Sequence, residues 1–348
     1  MQRIRWRTDG NLEGRDRMKI LVTGALGFVG QVVVQALLAA GYGVRAVVRP
    51  GKDRGSMPWQ SPNLEVFEAD LVTLAEDSPI LQGVDAVIHL VASKSSDFDR
   101  AYQDTVVATQ RLLAAMKHSQ VWRLIAISSF SVYDYSALPD GARLDETTPL
   151  ATNPALRDAY ARTKLLQEEV VREFGAQPQA AVTILRPGMI YGPGALWNAC
   201  QGTGAGPAWL LIGPSAQMPL TYVENCAAAM IAALQSTAAV GATLNIVDDD
   251  LPTRQAYTDA LVRQGTWKPK VIPLPWGAFR GVAQAVWWGQ QTLLRGRGKL
   301  PGLLIPARLE ARLKPLTYTN GKAKQVLGWQ PAYHWREAIE RSFALSSN

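Results

Sequence analysis

Cysteine and histidine are scarce in this 348-residue chain, and their scarcity removes several kinds of chemistry at once. Cys200 and Cys226 are too few for a disulfide framework, which points to a reducing compartment and a cytoplasmic location. The three histidines, His89, His118 and His334, are scattered without metal-ligand spacing, so no metal site is expected. No uncharged apolar run reaches the roughly 18 residues needed to cross a bilayer. Arg3, Arg5, Arg7, Arg15 and Arg17 precede no apolar stretch of the signal-peptide kind; residues 1–17 are expected to be a disordered extension, with the fold starting at Met18.

Basic residues are also missing locally, since no lysine or arginine lies between Arg186 and Arg254. The net charge of +7 is concentrated downstream: residues 254–314 carry eleven Lys/Arg against Asp259 and Glu310. This excess reads as a solvated face, and no nucleic-acid partner is expected.

What the chain does have is alternation. Apolar strands at Lys19–Thr23, Val44–Val48, Leu64–Glu68, Ala86–Leu90, Leu124–Ser128 and Val182–Arg186 are separated by stretches with helical spacing, including Val29–Ala40, Asp104–Lys117 and Asp158–Phe174. That pattern predicts an α/β fold with a doubly wound parallel sheet over residues 18–192. Residues 193–348 differ in texture. Gly192–Gly213 reads as glycine-rich loop, Val223–Gln235 as helix and Thr243–Val247 as a late strand, giving a smaller C-terminal substrate lobe interleaved with the first domain.

The sequence KILVTGALGFVG sets Gly24, Gly27 and Gly30 between the first strand and the first helix. A pyrophosphate needs close backbone approach and the unpaired N–H groups of a helix start, so Gly24, Gly27, Phe28, Val29 and Gly30 are candidate dinucleotide contacts. The second strand ends in Val47-Val48-Arg49-Pro50, followed by Lys52 and Arg54. An arginine there suits a 2′-phosphate better than a free ribose hydroxyl, which favours NADP(H) and leaves NAD(H) open.

Tyr160 and Lys164 lie four apart on a predicted helix and share a face. A phenol titrates near about 10, and a neighbouring ammonium together with a cationic nicotinamide would lower that value. Tyr160 then becomes a candidate acid/base, Lys164 a ribose contact, and Ser129, at the end of a strand, a donor to the same substrate oxygen.

With these residues in view, the chain resembles an extended short-chain dehydrogenase/reductase of the NAD(P)-dependent epimerase/dehydratase family, nearest in character to 3β-hydroxysteroid dehydrogenases and dihydroflavonol reductases. TGALGFVG is similar to the family's TGxxGxxG turn, YARTK to its YxxxK and ISSFSVY to its serine segment. The resemblance implies a Rossmann fold, selects Ser129 over Ser128, and implicates Asp70, Leu71 and Val91 at the adenosine side and Pro187 to Ile190 at the nicotinamide. Two departures stand out: Thr105 where the family often has asparagine, and Asp134 where it has glycine.

Three functions compete. One is an oxidoreductase acting on an alcohol or carbonyl of a mainly apolar small molecule. The second is a nucleotide-sugar epimerase with retained NAD, and the third a non-catalytic dinucleotide-binding protein. The cation-free stretch after Arg186, with its Leu196, Trp197, Trp209, Leu210, Leu211, Ile212 and Met218, favours the first, because a diphosphate needs cations. In Trp276–Leu294, Phe279, Val282, Val286, Leu293 and Leu294 fall on one helical face, with Arg295, Arg297 and Lys299 after them. This helix is open to three readings: core packing, a lid over the substrate, or peripheral membrane contact through residues 276–299. The helices Asp104–Lys117 and Asp158–Phe174 are candidate homodimer surfaces by resemblance.

Overall fold

A computed structural model describes residues 17–51, 58–293, 295 and 300–346. The expected extension and the residues Lys52, Arg54, Leu294, Arg297 and Lys299 lie outside the described residues, Arg17 excepted.

Five strands from the first part of the chain, β1 (Lys19–Thr23), β2 (Gly43–Val48), β3 (Leu64–Glu68), β4 (Ala86–His89) and β5 (Arg123–Ile127), join two later ones in a seven-stranded parallel sheet. Its order is Thr243–Ile246, Ala181–Pro187, β5, β4, β1, β2, β3. The two-residue side-chain period of a strand explains why both faces are apolar. Ile20 and Val22 face one way, onto helices Phe28–Ala39 and Val223–Gln235. Leu21 faces the other, onto helices Ala108–His118 and Ala159–Gly175. This is a doubly wound Rossmann sheet. The chain turns back between β1 and β4, where Thr23 pairs with His89 at the carboxyl ends, and a cleft opens at such a switch point.

Thr243–Ile246 returns to the main sheet after an excursion, so the second lobe is interleaved with the first. Residues 192–213 depart from the expected loop. Gly202–Ala205 and Ala208–Ile212 form an antiparallel pair, extended by a parallel strand at Lys270–Leu274. The first two form a local hairpin whose glycines read as loop, and only the third strand is distant in sequence. Arg254, fully buried, ties this lobe together by donating to the carbonyls of Cys200, Ile212, Gly213 and Leu313.

The expected helix at Asp104–Lys117 is instead a short helix, Phe98–Tyr102, a π turn at Gln103–Val107, and then Ala108–His118. The helix Trp276–Leu293 buries Trp276, Ala283 and Gln290, with Phe279 packed against Leu309 and Leu313. Core packing does not claim its apolar stripe, since Val282, Val286, Trp288 and Leu293 are exposed. Among the described residues no helix is long and apolar enough to cross a membrane.

Candidate active site

The glycine turn is dictated by contact. Gly24 has φ +69°, which an L side chain rarely adopts, and its carbonyl accepts from the Gly27 N–H at 2.9 Å. A Cβ on Gly30 would lie 2.2 Å from that same carbonyl oxygen and 2.7 Å from Ala25 O. Helix Phe28–Ala39 starts with Gly27 as its cap residue and no side-chain cap, so its first N–H groups have no side-chain acceptor. Two cavities meet at this turn.

The first, about 260 Å³, is lined by Gly24, Gly27, Arg49, Asp70, Leu71 and Val91, among others. Arg49 is largely exposed and lies 3.5 Å from the Asp104 carboxylate. Asp70 accepts from Val72 N at 3.0 Å and so holds the wall after β3. The second cavity, about 720 Å³, is lined by Gly24, Gly27, Phe28, Val29, Gly30, Ser129, Tyr160, Lys164, Pro187 and Ile190 with further residues. The residues expected to be catalytic, Ser129, Tyr160 and Lys164, and those expected to touch the cofactor from Gly24 to Ile190 therefore border one of two adjoining spaces.

Tyr160 and Ser129 both line the second cavity, and the Ser129 hydroxyl favours the phenolate form of Tyr160. Helix Ala159–Gly175 is capped by Asp158, whose carboxylate accepts from Ala161 N at 2.9 Å, and this fixes the register of Tyr160. Ser129 also accepts from Ser131 N at 3.1 Å, whereas Ser128 donates to Glu168 at 2.6 Å and is committed to structure.

Lys164 lines the same cavity and is held from behind. Its ammonium donates to Ile127 O at 2.6 Å and to Gln167 Oε1 at 2.8 Å. Burial lowers its pKa to about 7, partly opposed by the Glu168 charge. Burial raises the Tyr160 phenol, opposed by the neighbouring Ser129 hydroxyl.

Sequence reasoning missed the support behind this pair. Gln167 donates to Thr109 Oγ1 at 2.9 Å and Val91 O at 3.0 Å. His89 bridges Thr23 at 2.7 Å and Thr109 at 2.9 Å. Its burial, with the Lys164 charge, lowers its pKa to about 3, so it is neutral. Thr105, the departure from asparagine, accepts from Ser93 N at 2.9 Å and so keeps a backbone contact at that place. Asp134 caps a short turn through Ser136 N at 3.0 Å. One layer further in, Glu168 is held by Arg186 and Ser128; burial opposes its charge, but these bonds keep its pKa below the usual carboxylate value.

Three expectations about the substrate side change. Leu196, Trp197, Trp209, Leu211, Ile212 and Met218 pack inside the second lobe and do not line the cavity. Its apolar wall is built by Phe28, Ile127, Phe130, Met189, Pro219 and Ala311. Cations reach it from beyond the cation-free stretch, namely Arg312 and Lys314, with Arg157 from before it. No residue of Trp276–Leu293 lines either cavity, so that helix is not a lid here.

Residues 20–246 match the model of the NAD dependent epimerase/dehydratase family. The chain belongs to that family. A 2-alkyl-3-oxoalkanoate reductase of Stenotrophomonas maltophilia is 28% identical over 350 residues, covering 95% of this chain and 100% of the relative. Sterol-4-alpha-carboxylate 3-dehydrogenase (decarboxylating) of Bos taurus is 30% identical over 336 residues, covering 92% and 90%. Among solved structures, UDP-glucuronic acid 4-epimerase of Bacillus cereus, in complex with UDP-glucuronic acid and NAD, superposes with a TM-score of 0.70 at 21% identity, over 95% of this chain and 99% of that one. That likeness speaks for the fold. The cradle around Gly24, Gly27 and Gly30, which a Cβ would fill, fits the dinucleotide that the family's description requires.

Proposed function

We propose that this chain is an NAD(P)(H)-dependent oxidoreductase that moves hydride to or from an alcohol or carbonyl carbon of a mainly apolar small molecule. The observation that carries the reading is that Tyr160, Ser129 and Lys164 line one cavity, bounded by the glycine turn on one side and apolar side chains on the other. Bound in the two adjoining cavities, the nicotinamide cofactor supplies or accepts the hydride. Gly24, Gly27 and Gly30 would take its pyrophosphate, and Asp70, Leu71 and Val91 its adenosine end. Phe28, Val29, Pro187 and Ile190 would border its nicotinamide end.

In the oxidation direction Tyr160 Oη takes the hydroxyl proton as the carbinol carbon loses hydride, leaving a carbonyl. In reduction the same oxygen returns the proton. Ser129 donates to the substrate oxygen and orients it. Lys164 stays anchored by Gln167 and Ile127, which leaves its third N–H for a cofactor ribose hydroxyl.

The relatives support an apolar substrate, since both are named for compounds built on alkyl chains or a sterol. A purified sample is expected to consume reduced cofactor in step with alcohol formed from an apolar oxo compound. Tightly held NAD, with no net change in redox state during turnover of a nucleotide sugar, would overturn this in favour of an epimerase.

The proposed cofactor preference is NADP(H), through Arg49. A charge-assisted bond to a phosphate contributes about 1.5–3 kcal/mol. Arg49→Asp is therefore expected to weaken NADPH about 10- to 100-fold, with little loss for NADH. Equal weakening of both, read by fluorescence titration, would contradict the preference.

A further inference from the structure

Among the described residues, the second cavity is lined by five basic side chains, Lys94, Arg157, Lys164, Arg312 and Lys314, against two acidic ones, Asp158 and Glu310. Most of that charge is already committed. Arg157 is buried, with its two terminal nitrogens donating to Tyr133 O at 2.9 Å and Ser131 O at 2.7 Å. Lys314, also buried, donates to Tyr135 O at 2.8 Å and lies 3.7 Å from Glu310. Lys164 is spent as described above.

Arg312 differs. One of its nitrogens meets Asp158 at 3.0 Å in an ion pair about one-third exposed on both sides, and such pairs hold weakly. Asp158 stands two residues before Tyr160 and caps the same helix. The guanidinium is thus a cation that borders the cavity beside the acid/base and has donors to offer.

We propose that Arg312 receives a carboxylate of the substrate, so that the compound turned over is a hydroxy or oxo acid with an apolar body and its carboxylate near the reacting carbon. This rests on the oxidoreductase reading above. The Arg312 guanidinium matches a single carboxylate fork to fork, whereas a diphosphate would need several cations and finds three of the five, Arg157, Lys164 and Lys314, bound to backbone carbonyls, with the exposed Lys94 as the other cation on this cavity. The apolar wall from Phe130, Met189, Pro219 and Ala311 takes the rest of the molecule.

The test compares a 2-alkyl-3-hydroxyalkanoate with its methyl ester, each offered with NADP⁺ and NAD⁺. The wild-type protein is expected to prefer the acid by about 30-fold in kcat/KM, as one charge-assisted bidentate contact would give. Arg312→Gln abolishes the preference, chiefly by raising KM for the acid, and Arg312→Lys restores part of it. Loss of the Asp158 contact alone would slow acid and ester alike, so the ratio separates recognition from helix capping. Lys94→Gln keeps the preference. An acid/ester ratio near one in the wild type, or a ratio that survives Arg312→Gln or disappears in Lys94→Gln, overturns the proposal while leaving the oxidoreductase reading standing. No turnover of acid, ester or neutral apolar alcohols with either cofactor overturns both.

Discussion

Tyr160→Phe is expected to lower kcat by about 10²- to 10⁴-fold, the contribution usual for a positioned acid/base, while NADPH affinity stays within about twofold. The substitution removes one oxygen. The ring keeps its place because Asp158 caps the helix and Ala159 and Ala161 are buried on either side. Lys164 keeps its own anchors at Ile127 and Gln167, so the cofactor side of the cavity is undisturbed. Burial raises the phenol in the protein alone, so the proton-accepting form gains population only as pH rises. Alcohol oxidation should accordingly speed up with pH. Carbonyl reduction, which needs the protonated phenol, should be level at neutral pH and fall in alkali. A variant that binds NADPH normally and turns over at the wild-type rate would remove Tyr160 from the chemistry.

The second large effect concerns the turn. In Gly30→Ala the new methyl would overlap Gly24 O at 2.2 Å and Ala25 O at 2.7 Å, both main-chain atoms with no flexible end to swing away. Overpacking of this kind costs about 1–3 kcal/mol, and the backbone relieves it by opening the turn. NADPH affinity is expected to fall by about 100-fold or more by fluorescence titration, and the melting temperature by several degrees. By contrast Gly51→Ala, on the loop after β2 with open space around it, should leave affinity largely intact despite its φ of +78°. Normal NADPH binding by Gly30→Ala would mean that the pyrophosphate does not lie against this turn.

The strands β1, β2, β4 and β5 were legible because each is a short, mostly apolar run buried on both faces, and the edge strand β3 because its apolar residues alternate with Glu65 and Glu68; the glycine spacing follows directly from the first of them. Val223–Gln235 was legible to the residue for the same local reason. What escaped was non-local. The glycines of Gly202–Ala205 hid a local hairpin with Ala208–Ile212, and the pairing of Ala208–Ile212 with Lys270–Leu274 has no local signal at all. Trp197 and Trp209 read as part of an apolar substrate side, yet they pack on each other and on Trp267 with ring centroids 4.5–6.0 Å apart. Arg312 lies far along the chain from Tyr160, and no spacing rule links them. Only the fold of Pro306–Leu313 brings its guanidinium to Asp158. The pairing of Tyr160 with Lys164 could be read from helical spacing, whereas the Ile127 O and Gln167 contacts that hold the ammonium could not, because they come from a distant strand and from packing behind the helix.

The most direct measurement offers NADPH carrying deuterium at its transferring position to the protein together with an apolar oxo compound. The account predicts one deuterium at the new carbinol carbon for each cofactor oxidised. An alcohol formed without the label, or label that never leaves a tightly bound cofactor while a substrate stereocentre inverts, would contradict it.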